Sequence, residues 1–167
     1  MTKRAILRFP DPRLRQPAAP IAVFDAALAA LADNLLAAMR AAPGIGITAP
    51  HIGVALRLVV LELSTADGVR VYVNPRIEWA SPERARHEEG SVAMPGVVET
   101  IERPARVCVR FQDLTGAERV EEADGLLAVC LQHEVDQLDG VFWIQRLSKL
   151  KRDRVVKRYE KMRPDKP

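Results

Sequence analysis

The segment that most constrains this chain is Gly125–Leu138, GLLAVCLQHEVDQL. Its apolar residues fall on most sides of a helix rather than on one stripe, and it opens directly after Asp124. A helix apolar nearly all round has to be enclosed by other elements. The remainder of the 167 residues therefore has to form a shell around it, and that length supplies one domain rather than two. Most of the shell is short and β-branched. Residues 57–63 (RLVVLEL) and 69–74 (VRVYVN), separated by the turn-forming STADG, read as two antiparallel strands. Residues 77–79, 97–101, 105–113 and the stretch around Val120 add further strands, with a turn at Thr115-Gly116. Leu28, Leu31, Leu35 and Met39 form one stripe of a helix that Asp25 caps and Pro43-Gly44 ends. Lys149–Met162 reads as a last helix stopped by Pro164. The expectation is an α+β fold with antiparallel strands around a central helix. Residues 1–148 form its body, and 149–167 a basic helical tail of the same domain.

Charge and cysteine usage narrow the partners. Lys and Arg number 25 against 22 Asp and Glu, a balance too even for a disordered tail or a polycation. The excess is local, since residues 149–167 hold nine basic and three acidic side chains. Such a segment is either a solvated face laced with ion pairs or a surface for an anionic partner. No run approaches the ~18 consecutive apolar residues of a membrane span. The N-terminus reaches Phe9-Pro10-Asp11-Pro12 before a signal-peptide core can form, so no membrane partner is expected. Cys108 and Cys130 lie in apolar runs, with the spacing of neither a zinc knuckle nor a disulfide framework. A reducing cytoplasm is the expected compartment, and Cys108 reads as strand core.

The chemistry-bearing segment of the central helix is His133-Glu134-Val135-Asp136-Gln137. Zinc hydrolases place two imidazoles at i and i+4 of a helix, with a glutamate beside the metal-bound water. Here Gln137 stands at the second position, and a single His-Glu pair also suits a hydrogen-bonded core. Two more segments change the reading: residues 44–51 (GIGITAPH) and 88–96 (EEGSVAMPG). In order and spacing, the three resemble the signature motifs of the peptide deformylase family. Those motifs read Gly-apolar-Gly-apolar-Ala-Ala-Pro-Gln, Glu-Gly-Cys-apolar-Ser and His-Glu-apolar-Asp-His. The similarity extends to Asp11-Pro12-Arg13-Leu14-Arg15, Val73-Asn74-Pro75, Leu138-Asp139-Gly140-Val141 and Arg146-Leu147-Ser148.

The resemblance implies a metallohydrolase that removes the formyl group from the N-terminus of new peptides, with iron, nickel or zinc as the divalent metal. The family holds its metal by the cysteine of the second motif and both histidines of the third. By this correspondence His133 matches a retained ligand, whereas Ser91 and Gln137 occupy the other two ligand positions. Glu134 matches the general acid and base, and Val92 the residue whose backbone N–H stabilises the oxyanion. His51 replaces the glutamine that shares that task. Gly44, Ile45 and Gly46 match the strand that pairs with the peptide. Val129 and Cys130, with Leu126, match the pocket for its first side chain. In some members the terminal helix docks near the ribosome exit, a role open to the basic tail here.

The substitutions weigh heavily. A serine hydroxyl is neutral at pH 7 and binds divalent metals feebly, while a thiolate binds them strongly. Gln137 offers a neutral carbonyl oxygen in place of an imidazole nitrogen. Without a cation, nothing brings the pKa of the attacking water from about 15.7 toward 7. Three readings follow: a degenerate deformylase site with weak or absent activity and no bound metal, a non-catalytic binder of peptide N-termini, and an amidohydrolase whose metal is held by His51, His133 and a carboxylate. In a metal-free pocket His51 is expected to hydrogen-bond Ser91 or Glu89. Ser91 as a nucleophile activated by His133 is a further reading, but Glu89-Gly90-Ser91 lacks the Gly-x-Ser-x-Gly spacing of a nucleophile elbow.

Overall fold

The computed structural model describes residues 4–163. The Met1-Thr2-Lys3 start and Pro164, expected to stop the last helix, lie outside the described residues. Helix α1 (Ala26–Ala41) begins where the Asp25 carboxylate accepts the Leu28 N–H at 3.1 Å, and it buries Leu28, Ala32, Leu35 and Met39. After it come β1 (Gly46–Thr48), β2 (Leu58–Leu61) and β3 (Arg70–Ala80), then a hairpin of β4 (Arg84–Ser91) and β5 (Met94–Pro104). Strands β6 (Arg106–Gln112) and β7 (Glu118–Asp124) lead directly into α2 (Gly125–Leu138), and α3 (Lys149–Met162) ends the described chain. Strands β1, β2, β3, β6 and β7 form one antiparallel sheet in that order, while β4 and β5 pair only with each other. None of the described helices is long and apolar enough to cross a membrane.

Helices on both faces of the sheet explain why β2 reads as LVVL without alternation. Leu58 and Val60 pack with Leu35, Met39 and Ile47 on the α1 side, whereas Val59 and Leu61 pack with Ala128, Leu131 and Leu138 of α2. A strand buried on both faces needs apolar residues at both parities, each worth roughly 1.5–3 kcal/mol when fully buried. The α2 helix is thus sandwiched between the sheet and the β4–β5 hairpin. A third cluster holds the hairpin to the C-terminal part, with Val97 and Ile101 against Phe142, Trp143, Val155 and Tyr159. Val155 and Tyr159 make α3 part of the core rather than a loose appendage.

Three local readings are corrected. Residues 69–74 and 77–79 belong to one strand, β3, because the Asn74-Pro75 step is absorbed as a bulge. Asn74 takes φ 51°, and its side chain bonds the Ile21 N–H and carbonyl and the Gln112 side chain, which holds the kink in place. The charged run RARHEEGS, not expected as a strand, is β4; every residue from Arg84 to Glu89 pairs across to β5, so ladder bonds rather than propensity make it extended. Cys108 is half-buried on the face opposite Val107 and Val109, not in the strand core.

Candidate active site

A cavity of about 590 Å³ opens where β1, the β4–β5 hairpin and α2 meet. Gly44, Ile45, Gly46, His51, Ser91, Val92, Val129, Cys130, His133 and Glu134 all line it. Gln137 does not. Buried four residues beyond His133, it donates its side-chain N–H to the Leu14 carbonyl at 2.7 Å, toward the turn at Pro12–Arg15. A buried carboxamide has to spend its N–H somewhere, and this partner is 123 residues away in sequence. Ser91 takes the Ala93 N–H on its hydroxyl oxygen at 3.0 Å.

His133 is held from behind. Its Nδ1 lies 2.8 Å from Glu89 Oε1. Arg103 clamps the same carboxylate, donating Nε to Oε2 at 2.6 Å and Nη2 to Oε1 at 2.9 Å. A third donor of Arg103 reaches Asp136 at 2.9 Å, and Arg146 closes the chain on Asp136. Burial raises the Glu89 pKa, but the bonds from His133 and Arg103 outweigh it and hold the carboxyl down to about 2. Burial likewise opposes a charge on His133; the bond to Glu89 and the charges of Glu134 and Glu89 outweigh that too and lift its pKa above the ordinary value.

Glu134 has the opposite surroundings. It is buried beside Gly46, Oε2 has no partner among the described residues, and Oε1 stands 4.0 Å from His133 Nε2. Desolvation raises its pKa to about 7, with His133 and Arg103 pulling down and Glu89 pushing up. A carboxyl near half-protonation at neutral pH is suited to passing a proton in either direction.

The match to known proteins decides the family. The profile of polypeptide deformylases matches residues 3–153. Relatives described as "Peptide deformylase-like" are 63% identical over 97% of this chain and 99% of theirs in Brucella melitensis, and 60% over 96% and 94% in Rhizobium meliloti. The same Rhizobium strain also has a "Peptide deformylase" 45% identical over 96% of this chain and 94% of its own. The crystal structure of a peptide deformylase from Legionella pneumophila superimposes with a TM-score of 0.90 at 37% identity, covering 96% of this chain and 95% of the other. A deformylase from Synechococcus elongatus in complex with actinonin gives 0.90 at 34%, covering 94% and 88%. This chain belongs to the peptide deformylase family. Its α+β architecture, with antiparallel sheets and three helices, is that of the family's solved structures.

Within that deformylase fold the candidate site residues of the three motifs do line one cavity, Gln137 excepted, but their hydrogen-bond partners differ from those expected. His51 bonds neither Ser91 nor Glu89. It is the third residue of the 3-10 turn Ala49–Ile52, and its Nδ1 lies 3.0 Å from both the backbone N and Oγ1 of Thr48. Glu89 is instead taken by His133 and Arg103. Cys130 is a buried wall of the deformylase cavity, its thiol pushed up to about 12 by burial and by the charges of Glu134 and Glu89. The network that Arg103 and Asp136 form behind His133 was not foreseen, although Arg103 shares strand parity with Val97 and Ile101 and therefore had to point inward. At two lining glycines an added side chain would force its neighbours to shift. A Cβ on Gly46 would stand 2.8 Å from Leu61 and 2.9 Å from Glu134, and one on Gly44 2.7 Å from Val92.

Proposed function

We propose that this chain is a deformylase-like protein that seats a peptide N-terminus in the cavity and removes a formyl group weakly or not at all. The observation that carries this reading is the Gln137 side chain, which is engaged by Leu14 and lies outside the cavity. Of the family's three ligand positions, only His133 then offers a good metal donor. Ser91 is a neutral hydroxyl already accepting a backbone N–H. No group of three His, Cys, Asp or Glu side chains able to hold a metal ion occurs among the described residues. A divalent metal needs three such donors plus an open position for water, so the donor set does not fit the family's iron, nickel or zinc.

The binding half of the site is better preserved. Among the described residues strand β1 is an edge of the sheet, paired only with β2, so its other side suits an added peptide strand. Gly44 and Gly46 keep that approach open, and Val129 and Cys130 wall a pocket for the first side chain. Exposed Ile45, Val98 and Leu126 supply an apolar mouth. The reading includes a cytoplasmic location and contact of α3 with ribosomal phosphates through its basic face. The test is metal analysis of untagged protein, with hydrolysis of a formyl-Met peptide followed anaerobically in the presence of Fe²⁺ or Ni²⁺. Far less than one metal per chain and only slow turnover are expected. Stoichiometric tightly bound metal with rapid turnover would refute the reading.

A further inference from the structure

We propose that His51 is a fixed hydrogen-bond donor for a ligand carbonyl, with its proton held on Nε2, and that this same tautomer bars it from holding a metal. The inference rests on the preceding reading in one respect only, that the ligand is a peptide N-terminus. The backbone N–H of Thr48 points at His51 Nδ1 from 3.0 Å. A backbone N–H can only donate, so Nδ1 must present its lone pair, and a neutral imidazole then carries its single proton on Nε2. The Thr48 hydroxyl, at 3.0 Å from the same nitrogen, can donate as well. Burial, followed by the neighbouring His133, holds the His51 pKa down to about 3, so no second proton competes.

His51 Nε2 is buried with no partner among the described residues, while the residue borders the cavity. A buried N–H left unpaired is costly, and a ligand acceptor would satisfy it. A metal would not. Ligation through Nε2 requires its lone pair, hence a proton on Nδ1, where it would face the Thr48 N–H head on. Metal-bound histidines instead donate their second nitrogen to an acceptor. His133 shows the reverse arrangement, with Nδ1 against the Glu89 carboxylate and Nε2 free. The two rings are therefore not interchangeable: His133 retains the orientation of a ligand, and His51 that of a donor. This removes the expected amidohydrolase site built on His51 and His133.

The same geometry selects among ligands. Glu134 Oε2, from a second residue of the cavity lining, is likewise buried with no partner among the described residues. An N-acylated amine brings a carbonyl oxygen for His51 and an N–H for Glu134. A free ammonium brings donors only and leaves the Nε2–H unanswered.

Two-bond ¹⁵N–¹H correlation on the full chain labelled at histidine, at pH 7, reads the tautomer directly. A protonated Nε2 and unprotonated Nδ1 at His51, unmoved by added Zn²⁺, are expected. A proton on Nδ1, or a Zn²⁺-induced shift at His51 Nε2, would overturn the proposal. Calorimetry with formyl-Met-Ala-Ser and Met-Ala-Ser then tests the ligand. The formylated peptide should bind at least tenfold tighter. His51→Leu should erase that preference, and His51→Gln, which restores an N–H, should keep it. Equal binding of both peptides, or a preference unchanged in His51→Leu, overturns the carbonyl role. Binding of neither peptide overturns the peptide reading, and the carbonyl role with it, while the tautomer measurement separates that failure from an error in the geometry.

Discussion

Removing the Arg103 guanidinium tests how the site is held. In Arg103→Met the stem packing is approximately kept, but Glu89 loses both bonds of a bidentate clamp and Asp136 loses one. The Arg103 and Glu89 side chains are only 6% and 3% exposed, so water cannot replace those bonds. Breaking one side of a buried pair costs about 3–5 kcal/mol, because the remaining charge stays buried. For a chain of this size that is a fall in melting temperature of roughly 10 °C or more. The pH dependence has a definite sign. The folded pKa of Glu89 is about 2, below its ordinary 4.5, so its contribution is present above pH 4.5 and lost as pH falls toward 2. In the variant the carboxyl titrates higher, so the gap to the native protein should be widest at neutral pH and narrow in acid. Adding Glu89→Gln should recover part of the loss, since no charge is then stranded. Urea denaturation at pH 7 and pH 4 measures all of this. A variant within about 1 kcal/mol of the native protein at pH 7 would refute the reasoning.

Glu134→Gln should be more stable than the native chain at pH 8 by up to about 3 kcal/mol, because the raised pKa of about 7 means that burying the ionised carboxylate costs stability as pH rises from 4.5 through 7; chelator-treated samples unfolded in urea at pH 5 and 8 should show the gap only at the higher pH. Ser91→Cys with Gln137→His should restore metal binding and deformylation where each single change does little, as read by metal content and formyl-Met peptide hydrolysis; equal gains from one change alone would contradict the ligand count. Gly46→Ala should lower both stability and peptide binding, since the new methyl meets Leu61 and Glu134 inside 3 Å, and calorimetric binding equal to native would show that the strand can shift. Reversing exposed Arg154, Lys157 and Arg158 to Glu should abolish salt-sensitive co-sedimentation with ribosomes; truncating α3 is the poorer test because it removes Val155 and Tyr159 from the core.

The three helices were legible because their signals are local: Asp25 and Ser148 cap α1 and α3, and Gly125 with φ 53° marks the sharp entry into α2. The strand β2 was legible from its β-branched run. What sequence could not reveal was any partner chosen at long range. The strand β4 is extended because β5 lies beside it, and nothing in RARHEEGS alone favours that state. Glu89 meets His133 across 44 residues and Gln137 meets Leu14 across 123, so the second layer of the site exists only after the hairpin and the N-terminal turn have docked on α2. The resemblance of three motifs located the cavity, and folding decided which hydrogen-bond partners its side chains took.

The polar side chains in and behind the cavity differ in how they are satisfied. Ser91 and Gln137 have internal partners, Ser91 the Ala93 N–H and Gln137 the Leu14 carbonyl. Neither side chain is left as a stranded polar group, and the fold pays little for either. Glu134 Oε2 and His51 Nε2 are different, because both are buried in the cavity lining with no partner among the described residues. A core under selection for stability alone would replace such groups, since each one left unsatisfied costs about 1–3 kcal/mol. An acid and a donor that stay unsatisfied in one cavity are the complement of an amide, and a bound acylated N-terminus would satisfy both at once.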